Sequence, residues 1–217
     1  MEIKVTKAVG SDSKTASTLD LFEGVALPDD VKSRVKQDVG DYLVEAILSS
    51  AHKATSPIDG EGAFAPLSPV YKAKKLADGL PGKANLEYSG DLLDSLTFNE
   101  TRNGIEIGWF GSEAGKADGH NNLSGDSLIP TRRLIPDMGQ SFDSSITEGI
   151  DKIISDAIAD SFDFKRSDFV DVTTKQELYD ALDEYFPGLS RTEIRGVVAR
   201  SPDLADLLDS LDLFGML

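Results

Sequence analysis

The order of patterns along this chain predicts an α+β protein, with helix and strand signals in separate stretches and a small all-helical unit at the end. Three observations carry that reading. Val31, Val35, Val39, Leu43 and Ile47 recur every fourth residue, the apolar stripe of a long helix. Asn103-Gly104 stands between two segments of alternating polarity and marks a β-hairpin. Beyond residue 170, repeated capping signals mark three short helices.

Taken in order, Glu2 to Lys7 alternates apolar and polar residues, the period of a half-buried strand. Residues 10–18 are polar and read as loop. Pro28-Asp29-Asp30 opens the long helix, which Tyr42 and Ala46 widen on its apolar side and which runs to about His52. A Gly- and Pro-rich loop covers 56–69. Ser68 then caps a short helix whose first position accepts Pro69 without losing a hydrogen bond. Asp91 to Leu96 forms another amphipathic turn, followed by the hairpin segments 96–101 and 105–110. The next stretch, to Leu128, is rich in Gly, Asn, Ser and Asp and reads as mobile loop. A helix from about Ser144 to Phe162 follows, with Ile146, Ile150, Ile153, Ile154, Ala157 and Ile158 on its apolar side. Thr174 with Glu177 and Ser190 with Glu193 match the capping box, and Ser201-Pro202 is a cap with proline at the first helical position. The expected helices are 175–185, 191–200 and 202–213, and the expected domains are 1–163 and an acidic three-helix extension, 164–217.

Composition excludes several functions. The chain has 217 residues, no cysteine and a formal net charge of −16. Disulfides, thiolate catalysis and zinc–thiolate sites are therefore ruled out. Such a charge gains nothing from the counterion release that drives binding to phosphate backbones. From Ser141 onward there are 17 acidic and 7 basic residues, so most of the excess lies in that part. No apolar run approaches the roughly 18–20 residues of a membrane span, and residues 1–10 have no signal-peptide core. The expectation is a chain made in the cytoplasm, without a Sec route, a membrane partner or specific DNA binding.

Several motifs recur in a family-like order. Leu67-Ser68-Pro69-Val70-Tyr71 with Lys74, then Leu86-Glu87-Tyr88-Ser89-Gly90-Asp91-Leu92-Leu93-Asp94-Ser95-Leu96, then Ile129-Pro130-Thr131-Arg132-Arg133-Leu134-Ile135-Pro136 resemble three ordered segments of the bacteriophage virion-morphogenesis (tail-completion) family, typified by the gene G product of phage Mu. The resemblance covers about residues 28–160. It departs at Leu134, where an aromatic is common in the family, and in the polar stretch 115–125. It implies a long helix packed on a small antiparallel sheet, and a ring subunit of the head–tail connector or neck between portal and tail. The implied partners are other copies of the chain and the portal, adaptor or tail proteins of the same phage, with DNA only as passing cargo. The implied location is the virion. A transient assembly factor absent from the mature particle is the alternative.

Candidate residues follow from both readings. Pro130, Arg132, Arg133, Leu134 and Pro136 form an extended segment whose guanidinium forks suit carboxylates on a neighbouring subunit, or tie the segment to its own sheet. Arg132, which matches the family motif, is the expected structural member. Phe214, Met216 and Leu217 are expected to dock on a partner or fold back. His52 and His120 are the only histidines, and their spacing suggests no metal pair. His52 suits a helix C-terminus, and His120 falls in the polar loop. Residues 118–126 resemble a calcium loop but lack the glycine after the third ligand and the closing glutamate. Asp151, Asp156, Asp160 and Asp163 lie opposite their helix's apolar side, a solvated face; should that face line a ring lumen, its charge would let DNA pass without sticking. No catalytic residue, metal or cofactor is expected, because no nucleophile motif, phosphate loop or ligand spacing is present.

Overall fold

The apolar stripe of the first helix is buried along its length. In the computed structural model, which describes residues 5–7, 16–22, 27–122, 129–161, 169, 171–185 and 191–214, helix α1 spans Asp29–His52. Val31, Val35, Val39, Leu43 and Ile47 are all buried, at about 1.5–3 kcal/mol for each side chain removed from water. Asp29 and Asp30 in the first turn and His52 in the last suit the helix dipole at both ends.

Four antiparallel strands make one sheet in the order β1-β2-β4-β3. They are β1 (Val5–Lys7), β2 (Ala16–Asp20), β3 (Thr97–Glu100) and β4 (Gly104–Gly108). The pairs Leu19↔Ile105, Ser17↔Ile107 and Phe98↔Ile107 fix the register. Directly opposed residues share a face, so Ser17, Leu19, Ile105, Ile107 and Phe98 lie together on one side. α1 meets that face at Gly40, where the Phe98 ring occupies the space a Cβ would need. Only a residue without a side chain allows this approach.

Three expectations change here. Part of the stretch expected as loop is a strand: Ala16 to Thr18 belong to β2 and pair with β4. The hairpin forms, but Thr101 N–H donates to Gly104 O, so Arg102 and Asn103 take the corner. Neither residue has a positive φ, so the corner is not the type I′ turn that an Asn-Gly pair favours. The expected polar loop contains a helix, α4 (Ala114–Asn121).

The other expected helices form close to their expected bounds. α2 is Pro69–Ala77, with Tyr71 N–H donating to the Ser68 hydroxyl at 3.3 Å. α3 is the single turn Asp91–Asp94, and α5 is Ser144–Ser161. Along α5, Ile146, Ile150, Ile154, Ala157 and Ile158 are buried, Asp151 and Asp156 half-buried and Asp160 exposed. α6 (Lys175–Tyr185), α7 (Arg191–Arg200) and α8 (Pro202–Phe214) close the chain. Thr174 and Glu177 form a reciprocal capping box, each side chain accepting the other's backbone N–H. Asp163, Ser190, Met216 and Leu217 lie outside the described residues.

Contacts divide the chain into two units. One gathers Ile3–Asp20 with Gly40–Thr147; the other gathers Met1–Glu2, Leu21–Val39 and Glu148–Leu217. In the second, Leu178, Leu182, Ile194, Val197, Val198, Leu204 and Leu207 are buried, and Arg34 donates to Ala157 O at 3.1 Å. The boundary expected at 163–164 lies outside the described residues. No described helix is long and apolar enough to cross a membrane.

Candidate functional site

Within the unit that holds the sheet, a cleft of about 480 Å³ opens among α2, α3, α4 and the 129–132 segment. Its walls come from three separated stretches. Leu67, Tyr71 and Lys75 come from the first, Lys83, Ala84, Leu86 to Gly90 and Leu92 from in and just before the second, and Ile129 and Arg132 from the third. Glu113, Lys116, Gly119 and His120 complete it, on α4 and just before it.

α2 sets one wall. Proline at its first position and the Ser68 cap start it. Its C-terminal half turns Lys75 inward, only 2% exposed. The Lys75 ammonium donates to Asn85 Oδ1 at 2.7 Å and Lys83 O at 3.1 Å, and Asn85 Nδ2 in turn donates to Glu87 Oε2 at 2.8 Å. Burial pushes the Lys75 pKa below its ordinary value, with Glu87 opposing and Arg132 adding to the effect. Lys74 lies instead over the Tyr88 ring, 5.3 Å from its centre, a cation–π contact. Tyr71 stacks on Tyr88 at 6.1 Å, and the Tyr88 hydroxyl donates to Asp78. That bond raises the Tyr88 pKa.

The second stretch turns sharply. Gly90 has φ +94° and Leu86 has φ +59°. Glycine takes the first freely; leucine pays about 1–2 kcal/mol for the second. Behind this wall, the buried Trp109 donates its indole N–H to Leu92 O at 2.7 Å.

The third stretch explains α4, whose two internal glycines give it little intrinsic helicity. Its last carbonyls find donors in residues 132–134. Arg132 N–H donates to His120 O at 2.8 Å, and Arg133 Nε to Asn121 O at 3.1 Å. The buried Asn121 side chain accepts Leu134 N–H at 2.9 Å. These bonds satisfy groups a helix end leaves open.

The expected interface segment therefore lies largely within its own chain. Arg132 is 6% exposed and donates through Nη2 to Ala65 O at 3.2 Å. Arg133 pairs with Glu61 at 3.5 Å, and Ser56 donates to Arg133 O at 2.9 Å. Leu134 and Pro136 are buried, and Ser17 donates to Pro136 O at 2.6 Å. Among these five residues Pro130 alone is exposed. Of the two readings of the arginines, these bonds belong to the intramolecular one. Phe214 ends α8, and its side chain lies outside the described residues.

His120 was expected in a loop; it sits at the end of α4 and faces the cleft. Burial first, then the neighbouring Arg132 charge, lower its pKa. Two buried nitrogens here, His120 Nδ1 and Arg132 Nε, have no hydrogen-bond partner among the described residues. Neither nitrogen was legible in the sequence, because α4 was not. Among the described residues, no group of three His, Asp or Glu is placed to hold a metal ion.

No protein-family model, curated protein or solved structure matches this chain.

Proposed function

We propose that this chain is a structural subunit of a tailed-phage neck, a head–tail connector or tail-completion protein that assembles as a ring between portal and tail. The observation that supports the reading is convergence. The three segments that resemble the tail-completion family are up to 69 positions apart in the chain, yet residues of all three line one cleft. A shared surface feature built jointly by the three segments is what a common structural unit would need, and it supports the reading. The cleft is rimmed by exposed Tyr71, Tyr88 and Ile129, residue types suited to docking another protein.

On this reading the chain works by mating surfaces, in the virion, and DNA passes without being bound. Quantification by mass spectrometry in purified particles, relative to the portal protein, tests it. A near-integer ratio is the expected result. Absence from finished particles would overturn the neck role and leave the transient assembly factor.

A further inference from the structure

Large apolar side chains exposed on this molecule are not scattered. Among the described residues they are Val70, Tyr71, Leu76, Tyr88, Ile129 and Met138. The first three lie on α2, and Tyr71, Tyr88 and Ile129 line the cleft. Val70 is 82% exposed. An apolar cluster around a concave site marks a protein-binding surface, where single exposed hydrophobes do not. Tyrosine and arginine are also the residues that most often anchor such interfaces.

The cleft has a charge character opposite to that of the chain. Lys75, Lys83, Lys116 and Arg132 line it, against Glu87 and Glu113, in a protein with 38 carboxylates and 22 cations. Lys116 is paired with Glu113 at 2.6 Å, and the Lys75 ammonium is held by Asn85 and Lys83 O. Arg132 is different. It is nine-tenths buried, its guanidinium donates to a neutral carbonyl, and its Nε finds no acceptor among the described residues. A buried charge is costly unless paired, and beside it His120 Nδ1 is a second buried nitrogen without a partner among those residues.

We infer that the cleft is one half of a head-to-tail interface between copies of this chain, and that it receives a carboxylate side chain of the neighbouring copy on Arg132 and His120, with Tyr71, Tyr88 and Ile129 as the apolar rim. The occupant follows from charge: the cationic cleft meets its complement on the acidic remainder of an identical molecule. A cleft that takes a different surface of the next copy is a heterologous contact, the kind that closes into rings. The inference rests on the ring reading but can fail separately from it.

Zero-length carbodiimide cross-linking of a mixture of ¹⁴N- and ¹⁵N-labelled protein tests the contact, because mixed-isotope products arise only between copies. Mixed-isotope cross-links from Lys83 or Lys116 to Asp or Glu are expected. In sedimentation velocity the exposed-rim variant Lys83→Glu/Lys116→Glu should associate about tenfold more weakly or worse. The variant Lys53→Glu/Lys152→Glu, with the same charge change outside the cleft, should associate as the unaltered chain does, and circular dichroism confirms that both fold. Association without the mixed cross-links, or equal weakening in both variants, would overturn the cleft as the interface while leaving a ring intact. A monomer at every concentration would overturn the second copy as occupant. The particle measurement would then decide the neck role by itself.

Discussion

His120 and Arg132 both line the cleft; burial lowers the pKa of each, and the Arg132 charge lowers that of His120 further. For His120 the consequence can be given a sign. Its folded pKa is below the ordinary histidine value, so between the two values the unfolded chain binds more protons than the folded one. Stability from this group is complete above the unfolded pKa of about 6.5 and is lost as pH falls toward the folded value. Thermal melts taken from about pH 7.5 down to about pH 5.5 should show a falling Tm, and His120→Gln should flatten that fall. An unchanged slope in the variant would mean other groups cause it. At Thr174 the expected effect comes from capping alone: Thr174→Ala leaves Glu177 N–H without its acceptor and should cost about 1 kcal/mol in denaturant unfolding.

Elements differ in how openly the sequence announces them. α1 was legible because its five-residue apolar stripe is a local signal, and the helices α6 to α8 because caps and periodicity agree within each segment. β2 was missed because Ser17 and Thr18 look like loop residues; the strand exists through pairing with Ile107 and Glu106, some 90 residues on. α4 was missed for a similar reason: Gly115 and Gly119 weaken it, and residues 132–134 supply what it lacks. The cleft was invisible because its walls are non-local, although the motifs that build it were each noticed. One element carries a sharp test. Gly40→Ala gains roughly 0.5–1 kcal/mol of helix preference but forces a methyl into the Phe98 ring, an overpacking cost of about 1–3 kcal/mol. Net destabilisation of about 1–2 kcal/mol is expected. In Phe98→Ala the same glycine replacement should be neutral or stabilising, and strict additivity of the two changes would show that the ring is not the obstacle.

For the whole molecule, the division by contacts matters more than the order of the chain. Trp109 is the only tryptophan, 2% exposed, and its indole partner Leu92 lies in the same unit. A chain truncated after residue 163 loses α6 to α8, which belong to the other unit. Its tryptophan emission should stay blue-shifted, as in the full chain, while the far-ultraviolet helical signal falls. A red shift to the emission of exposed indole would show that the sheet unit depends on those helices.

The dependence of α4 on the segment that follows it bears on timing. Residues 114–121 leave the ribosome before their donors at 132–134 do, so this wall of the cleft has no stable form until the later segment has arrived and docked. The same bonds set the order of opening in the finished protein. Losing Arg133 Nε–Asn121 O and Leu134 N–Asn121 Oδ1 frees a short, glycine-containing helix with little reason to persist. Its amide protons should therefore exchange with solvent well ahead of those in β4 and α1, and binding of a neighbour in the cleft should slow them more than any others.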